Sequence, residues 1–160
     1  MRPLAAALAL AAAVCAPGLA RAQALAVVGL DGATRTLAGA QFADLPRDKV
    51  PVKLKDRTVV YEGVRLAAVL RLAGAPVGAR IHGDPLKAYL VIKGADGFFA
   101  VASLAEIDPD FHEGAAILAD RRDGQPLPAK EAPWRLVIAG DRKPWRSVYA
   151  VTVIELRSAN

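Results

Sequence analysis

The chain has 160 residues, a formal net charge of +5, one cysteine and two histidines. No run of Lys or Arg is interleaved with aromatic residues, so nothing marks a nucleic-acid-binding face. A lone cysteine leaves no disulfide framework and no thiolate cluster for a metal.

The N-terminus comes first. Arg2 supplies a positive charge, Leu4 to Val14 is an uninterrupted apolar run, and Ala20-Arg21-Ala22 places small residues at −3 and −1. This pattern predicts a secretory signal peptide over residues 1–22, cut between Ala22 and Gln23. The apolar run falls short of the roughly 20 residues a membrane-spanning helix needs. Val14 occupies the place before Cys15 where lipid attachment wants a small residue. Removing 22 of 160 residues leaves 138, a single domain over 23–160, long enough to bury about two-thirds of its unfolded surface. Arg2 and Arg21 leave with the signal, so the charge falls from +5 to +3, and Cys15 leaves as well. The Ala-, Arg-, Gly- and Pro-rich composition suggests a GC-rich bacterial genome, hence a periplasmic location.

Along the mature chain, Ala24–Leu30 reads as a strand ending at the turn dipeptide Asp31-Gly32. Thr36 is placed to cap a short helix over Leu37–Leu45, stopped by Pro46. Val50, Val52 and Leu54 alternate with Pro51, Lys53 and Lys55, a half-buried strand that Pro51 assigns to a sheet edge. Thr58–Tyr61 is the next strand. Leu66, Val69, Leu70 and Ala73 fall at helical spacing, with Gly74 where a left-handed cap belongs. Ala88–Ile92 and Phe98–Ala102 flank a hairpin turn. Ser103 and Glu106 form a capping-box pattern. Ala115–Ala119, Arg135–Ala139 and Val148–Leu156 are three more strands. Strands dominate and helices do not alternate with them, which predicts an α+β, mainly β domain with short helices rather than a doubly wound sheet.

Few residues carry chemistry. His82 and His112 are thirty positions apart and outside any short metal-binding pattern, although His112-Glu113 follows Asp108-Pro109-Asp110 in a polar loop. Ser103 and Ser147 lack a nucleophile elbow, and no phosphate-cradling glycine loop is present. The unusual residues lie later. Pro133-Trp134-Arg135 recurs as Pro144-Trp145-Arg146, each read as the start of a strand. A flat ring beside a guanidinium suits a planar ligand as well as a core and a surface. Asp96 is a turn former before Gly97, and equally a carboxylate for the edge of an aminopyrimidine-type ring.

Tyr61-Glu62-Gly63-Val64-x-Leu66-x-x-Val69-Leu70-x-x-Ala73-Gly74 resembles the opening signature of the oxidoreductase molybdopterin-binding domain, the sulfite oxidase-type fold. Asp96-Gly97-Phe98-Phe99-Ala100 resembles that family's hairpin, with Phe98 in the aromatic place. Ser103 to Asp108, Asp123-Gly124-x-Pro126-Leu127, Pro133-Trp134-Arg135-Leu136-Val137, Gly140-Asp141, Arg146 and Val153 to Leu156 are similar to its later segments in order. The resemblance covers residues 50–156. Catalytic members hold molybdenum through a cysteine thiolate, which the mature chain lacks, and the His-Gly of those members reads Lys130-Glu131 here. The resemblance therefore implies a small exported relative that binds a pterin, or a molybdopterin-like ligand, without metal. Its expected partner is the periplasmic domain of a membrane sensor controlling cyclic-di-GMP. The ligand-binding residues it implies are Asp96, Phe98, Trp134, Arg135, Trp145 and Arg146. Two other readings stand beside it: a molybdenum cofactor oxidoreductase without a protein thiolate, and an interaction subunit with a vestigial pocket that docks a partner through an exposed edge strand.

Overall fold

The computed structural model describes residues 23–159. The predicted signal peptide, its cleavage site and Cys15 lie outside them. Ten strands form two sheets: β1 Ala24–Val28, β2 Thr34–Ala38, β3 Arg47–Leu54, β4 Arg57–Arg65, β5 Ala88–Gly94, β6 Phe99–Ser103, β7 Ala116–Arg122, β8 Gln125–Pro126, β9 Arg135–Ile138 and β10 Val151–Ser158. One sheet runs β2-β1-β10-β5-β6. The other runs β3-β4-β7-β8, with β9 also pairing with β7. The pair β1–β10 is parallel and the others are antiparallel. A single α-helix, α1 Leu66–Leu72, and five 3-10 turns complete the described chain. The domain is α+β and mainly β, as the strand count predicts.

Alternation explains the layering. In β9, Leu136 and Ile138 face the main core together with Trp134. Val137 faces a second apolar cluster made with Val50, Val59, Tyr61, Ile117, Ala119 and Leu127. The second sheet is thus apolar on both sides, and its strands read as near-continuous hydrophobic runs for that reason. The main core lies between the two sheets and takes in α1 through Leu66, Val69 and Leu70. Fully burying a side chain of this size contributes about 1.5–3 kcal/mol.

Two glycines of the opening signature have visible tasks. At Gly63 the β4–β7 ladder shifts register, and a Cβ there would sit 2.1 Å from the Leu118 carbonyl oxygen, so only glycine lets the strands approach. Gly74, at φ +80°, ends α1 in a Schellman motif: Ala75 N–H donates to Leu70 O at 3.0 Å and Gly74 N–H to Arg71 O at 3.0 Å.

Three expectations are corrected. Residues 37–45 are not a helix capped by Thr36; Thr34–Ala38 is β2, and only Gly39–Phe42 turns, as a 3-10 helix. The hairpin over Asp31-Gly32 lets β2 pair with β1 along its whole length, and that ladder outweighs a local cap. The last strand starts at Val151, not Val148, because Ala150 takes φ +46° and breaks the extended run. Finally, Pro144–Arg146 is a 3-10 turn rather than a strand start. No helix among the described residues is long and apolar enough to cross a membrane.

Candidate functional site

A pocket of about 290 Å³ opens where β3, the end of β4 and the start of α1 meet the loop before β7. Asp48 on β3 and Arg65 at the end of β4 form one wall. Arg65 donates to the two Asp48 carboxylate oxygens at 2.5 and 3.1 Å, a bidentate pair. That pair raises the Arg65 guanidinium above its ordinary pKa, chiefly through the hydrogen bonds to Asp48. Ala67, Ile107, Pro109 and Ala116 supply apolar surface, and the exposed His112 and Glu113 add polar groups to the lining.

The loop that carries them is built by Asp108, which is only 1% exposed. Its carboxylate accepts from Gly78 N–H at 2.8 Å and from Asp110 N–H at 3.0 Å. Its carbonyl accepts from Phe111 and His112 N–H, both at 3.1 Å. A short polar residue that bonds its own loop two positions on is a turn-forming device. Here it fixes where His112 and Glu113 are presented. The polar loop was visible in the sequence. Its meeting with Asp48 and Arg65 was not, because that depends on the β3–β4 hairpin and on α1.

The six residues singled out from the sequence do not share one pocket. Asp96 and Phe98 sit on the β5–β6 turn and are exposed; the Asp96 carboxylate accepts from Phe98 N–H at 3.0 Å. Trp134 is 3% exposed and packs on Phe42 with ring centroids 5.3 Å apart. Arg135 points to the opposite side of β9. Its guanidinium lies between the rings of Tyr61 and Tyr149, 4.4 Å from each centroid. It donates to Glu131 at 2.9 Å, to Ser147 at 2.7 Å, and to the Tyr61 hydroxyl. Trp145 is 75% exposed, with the Lys143 ammonium 5.5 Å above its ring. Arg146 is clamped by Glu106 at 2.7 Å and by Asp141 at 2.7 and 3.2 Å, which raises its pKa further. Glu106 therefore completes only half of the capping box: its N–H donates to Ser103 Oγ at 3.0 Å while its carboxylate holds Arg146.

A larger cleft of about 900 Å³ lies beside two of these residues. Ala38, Gly39, Ala95, Pro133, Ala150 and Thr152 are among its lining residues. Ala95 precedes Asp96, and Trp134 lies under the floor, since a Cβ on Gly39 would meet its ring at 3.4 Å. This cleft has shape but almost no convergent polar side chains, whereas ligand sites combine apolar walls with a few placed polar groups. The smaller pocket has both.

No protein-family model matches this chain, and no curated protein matches it. Among solved structures, the sulfane dehydrogenase SoxCD from Paracoccus pantotrophus superposes with a TM-score of 0.61 at 18% sequence identity. The superposition covers 85% of this chain and 38% of that one. The chain has a sulfite oxidase-type fold.

In this sulfite oxidase-type fold the donor set decides whether a molybdenum cofactor fits. Residues 23–159 contain no cysteine, and no cluster of three His, Cys, Asp or Glu side chains converges among them. The metal has no thiolate to bind. The small pocket also offers a phosphate poorly, since its one guanidinium is already bonded to Asp48 and Glu113 adds a second carboxylate. Among the described residues a metal would find neither a thiolate nor three converging His, Cys, Asp or Glu side chains, and the small pocket offers no uncommitted guanidinium to a phosphate.

Proposed function

We propose that this chain is a non-catalytic periplasmic module that binds a pterin, or a flat heterocycle with a similar edge, in the pocket between Asp48–Arg65 and His112–Glu113. The observation that carries the reading is the combination of apolar walls with a few polar side chains in about 290 Å³, near the lower end of the usual range for small-molecule sites. A pterin presents an apolar face and a donor–donor–acceptor edge. The face suits Ala67, Ile107 and Pro109. The amino edge suits a carboxylate, which Glu113 provides, and the ring oxygen suits a donor such as His112. With no uncommitted guanidinium in the pocket, a neutral pterin is favoured over a phosphate-bearing one. A binder without chemistry of its own has to report occupancy to a partner; the periplasmic domain of a membrane sensor of cyclic-di-GMP signalling fills that role in this reading.

Calorimetry with oxidised and reduced pterins tests it. Wild type should bind with little salt dependence. Glu113→Gln should weaken binding about tenfold or more, because a hydrogen bond to a charged group is worth roughly 1.5–3 kcal/mol. Asp96→Ala should leave it unchanged. Absence of heat with every pterin removes the ligand reading. Loss in Asp96→Ala alone moves the seat to the larger cleft beside Trp134.

A further inference from the structure

The open edges of the two sheets are protected unequally. β3 carries Arg47, Asp48, Lys49, Pro51 and Lys53 along its eight residues, the charges and proline that normally keep an edge from pairing. β2, at one edge of the other sheet, carries Arg35. At that sheet's far edge β6 reads Phe-Ala-Val-Ala-Ser, with no charge and no proline.

The phase of β6 is fixed at both ends. Gly94 N–H donates to Phe98 O at 2.9 Å and Leu104 N–H to Ala88 O at 2.9 Å. With the ladder register between them, the even-numbered residues of β6 bond to β5. The backbone groups of Phe99, Val101 and Ser103 therefore point away from β5, toward the open edge. The side chains of these same three residues lie on the uncovered face: Phe99 is 57% exposed and Val101 47%.

We propose that β6 pairs antiparallel with β6 of a second copy of this chain, about a two-fold axis through Val101. In that register Val101 opposes Val101 of the second copy and Phe99 opposes Ser103. Every outward N–H and C=O of the three residues then meets a complement. The interface is isologous, as most dimer interfaces are. Along the uncovered face the row Val91–Val101 continues into Val101–Val91 of the other copy, and no like charges are brought face to face. The nearest carboxylates in that row, the two Glu155 side chains, sit five strand spacings apart, roughly 24 Å, beyond the screening length. The 3-10 turn bearing Trp145 packs beside β6 and is tied to Glu106 just after it. The two-fold carries that turn toward the Phe98–Phe99 end of the other copy's strand. With about 150–250 Å² per aromatic side chain, the exposed parts of Phe98, Phe99 and Trp145 amount to roughly 270–450 Å² per copy. Two such patches fall below the roughly 1,200–2,000 Å² of a standard stable interface, so the dimer is weak and concentration-dependent.

Sedimentation velocity across a concentration series should show the wild type passing from monomer to dimer in the micromolar range or above, and Val101→Lys remaining monomeric with an unchanged melting temperature. Cross-linking reads the register itself. Opposed residues in a hydrogen-bonded antiparallel pair lie about 5.5 Å apart at Cα, inside the range a disulfide spans. In a Cys15→Ser background, Val101→Cys should self-link on mild oxidation. Ser103→Cys should not, because its counterpart in the second copy lies four residues out of register. Mixing Ser103→Cys with Phe99→Cys should restore linkage. A wild type that stays monomeric at several hundred micromolar overturns the proposal. Equal linkage of Val101→Cys and Ser103→Cys does so too. The cysteine variants decide the matter even if Val101→Lys fails to fold.

Discussion

Pro133-Trp134-Arg135 and Pro144-Trp145-Arg146 share three residues and little else. The first triplet runs into β9, which pairs with β7 through Leu136 opposite Leu118 and Arg135 opposite Ala119. That ladder imposes a period of two, so Trp134 is delivered to the main core and Arg135 to the opposite side. The second triplet has no strand partner. It closes as a 3-10 turn between Asp141 and Ser147, leaving Trp145 in solvent and Arg146 between two carboxylates. The partner strand, not the triplet, decides which tryptophan is structural.

The largest expected effect follows directly. Trp134→Ala empties the contact with Phe42 and should cost about 3–5 kcal/mol, a fall in melting temperature of about 10 °C or more for a domain this size. Trp145→Ala should stay within about 0.5 kcal/mol. Paired thermal scans check both. Equal losses would mean that the second turn is buried in solution and would break the contrast.

Next comes the charge behind Arg135. Glu131 is 2% exposed and Arg135 4%, and Glu131 also accepts from Arg122 at 3.0 Å. Removing one partner of a buried pair costs about 3–5 kcal/mol because the other charge is left unmatched. Glu131→Gln keeps the shape and an acceptor, so the lower end, about 3 kcal/mol, is expected by denaturant titration. Arg146→Ala breaks two pairs, yet its side chain is 38% exposed. Pairs in such partly solvated positions contribute about 0.2–1 kcal/mol each, so the loss should stay near 1 kcal/mol and shrink in high salt.

These magnitudes also show what the sequence could carry. Period-two runs and turn dipeptides located most strands and the β5–β6 hairpin, and the spacing of Leu66, Val69, Leu70 and Ala73 located α1 with its Gly74 cap. The reading failed at Thr36, where a local cap competed with a ladder to β1 that no window of a few residues contains. It could not separate the two tryptophans, since both follow proline and precede arginine. The candidate pocket was legible only in part. His112 and Glu113 were recognised as a polar loop, but Asp48 lies just before the Val50–Leu54 alternation and Arg65 fills an unspecified place between Val64 and Leu66, so neither carried a signal. Their bidentate pair joins residues 17 apart across a hairpin and faces a loop some fifty residues further on. Tertiary geometry alone supplies that.

The smallest effect belongs to a third arginine, Arg35, which is about as exposed as Arg146 but holds a single carboxylate where Arg146 holds two. Arg35 donates to Asp31 across the tip of the β1–β2 hairpin at 2.7 and 3.3 Å. The hydrogen bonds from Arg35 first, then that from Ala33 N–H, pull the Asp31 carboxyl down to about 2. The folded pKa lies below the unfolded one, ordinarily about 3.9. The contribution of Asp31 to stability is therefore complete above the unfolded value and lost as pH falls toward 2. Asp31→Asn retains an acceptor for Ala33 N–H but removes the titrating charge. The melting temperature of wild type minus that of Asp31→Asn should be small, positive and flat above about pH 5, and should decline between about pH 4 and pH 2. Half-molar salt should reduce the plateau, because both partners are solvent-facing. Scans of both proteins from pH 2 to pH 7 provide the measurement. A difference that grows on acidification would reverse the sign and show that the carboxyl is held up rather than down. A flat difference would show that the Arg35 contact is not made in solution, leaving the turn to the backbone and Gly32 alone.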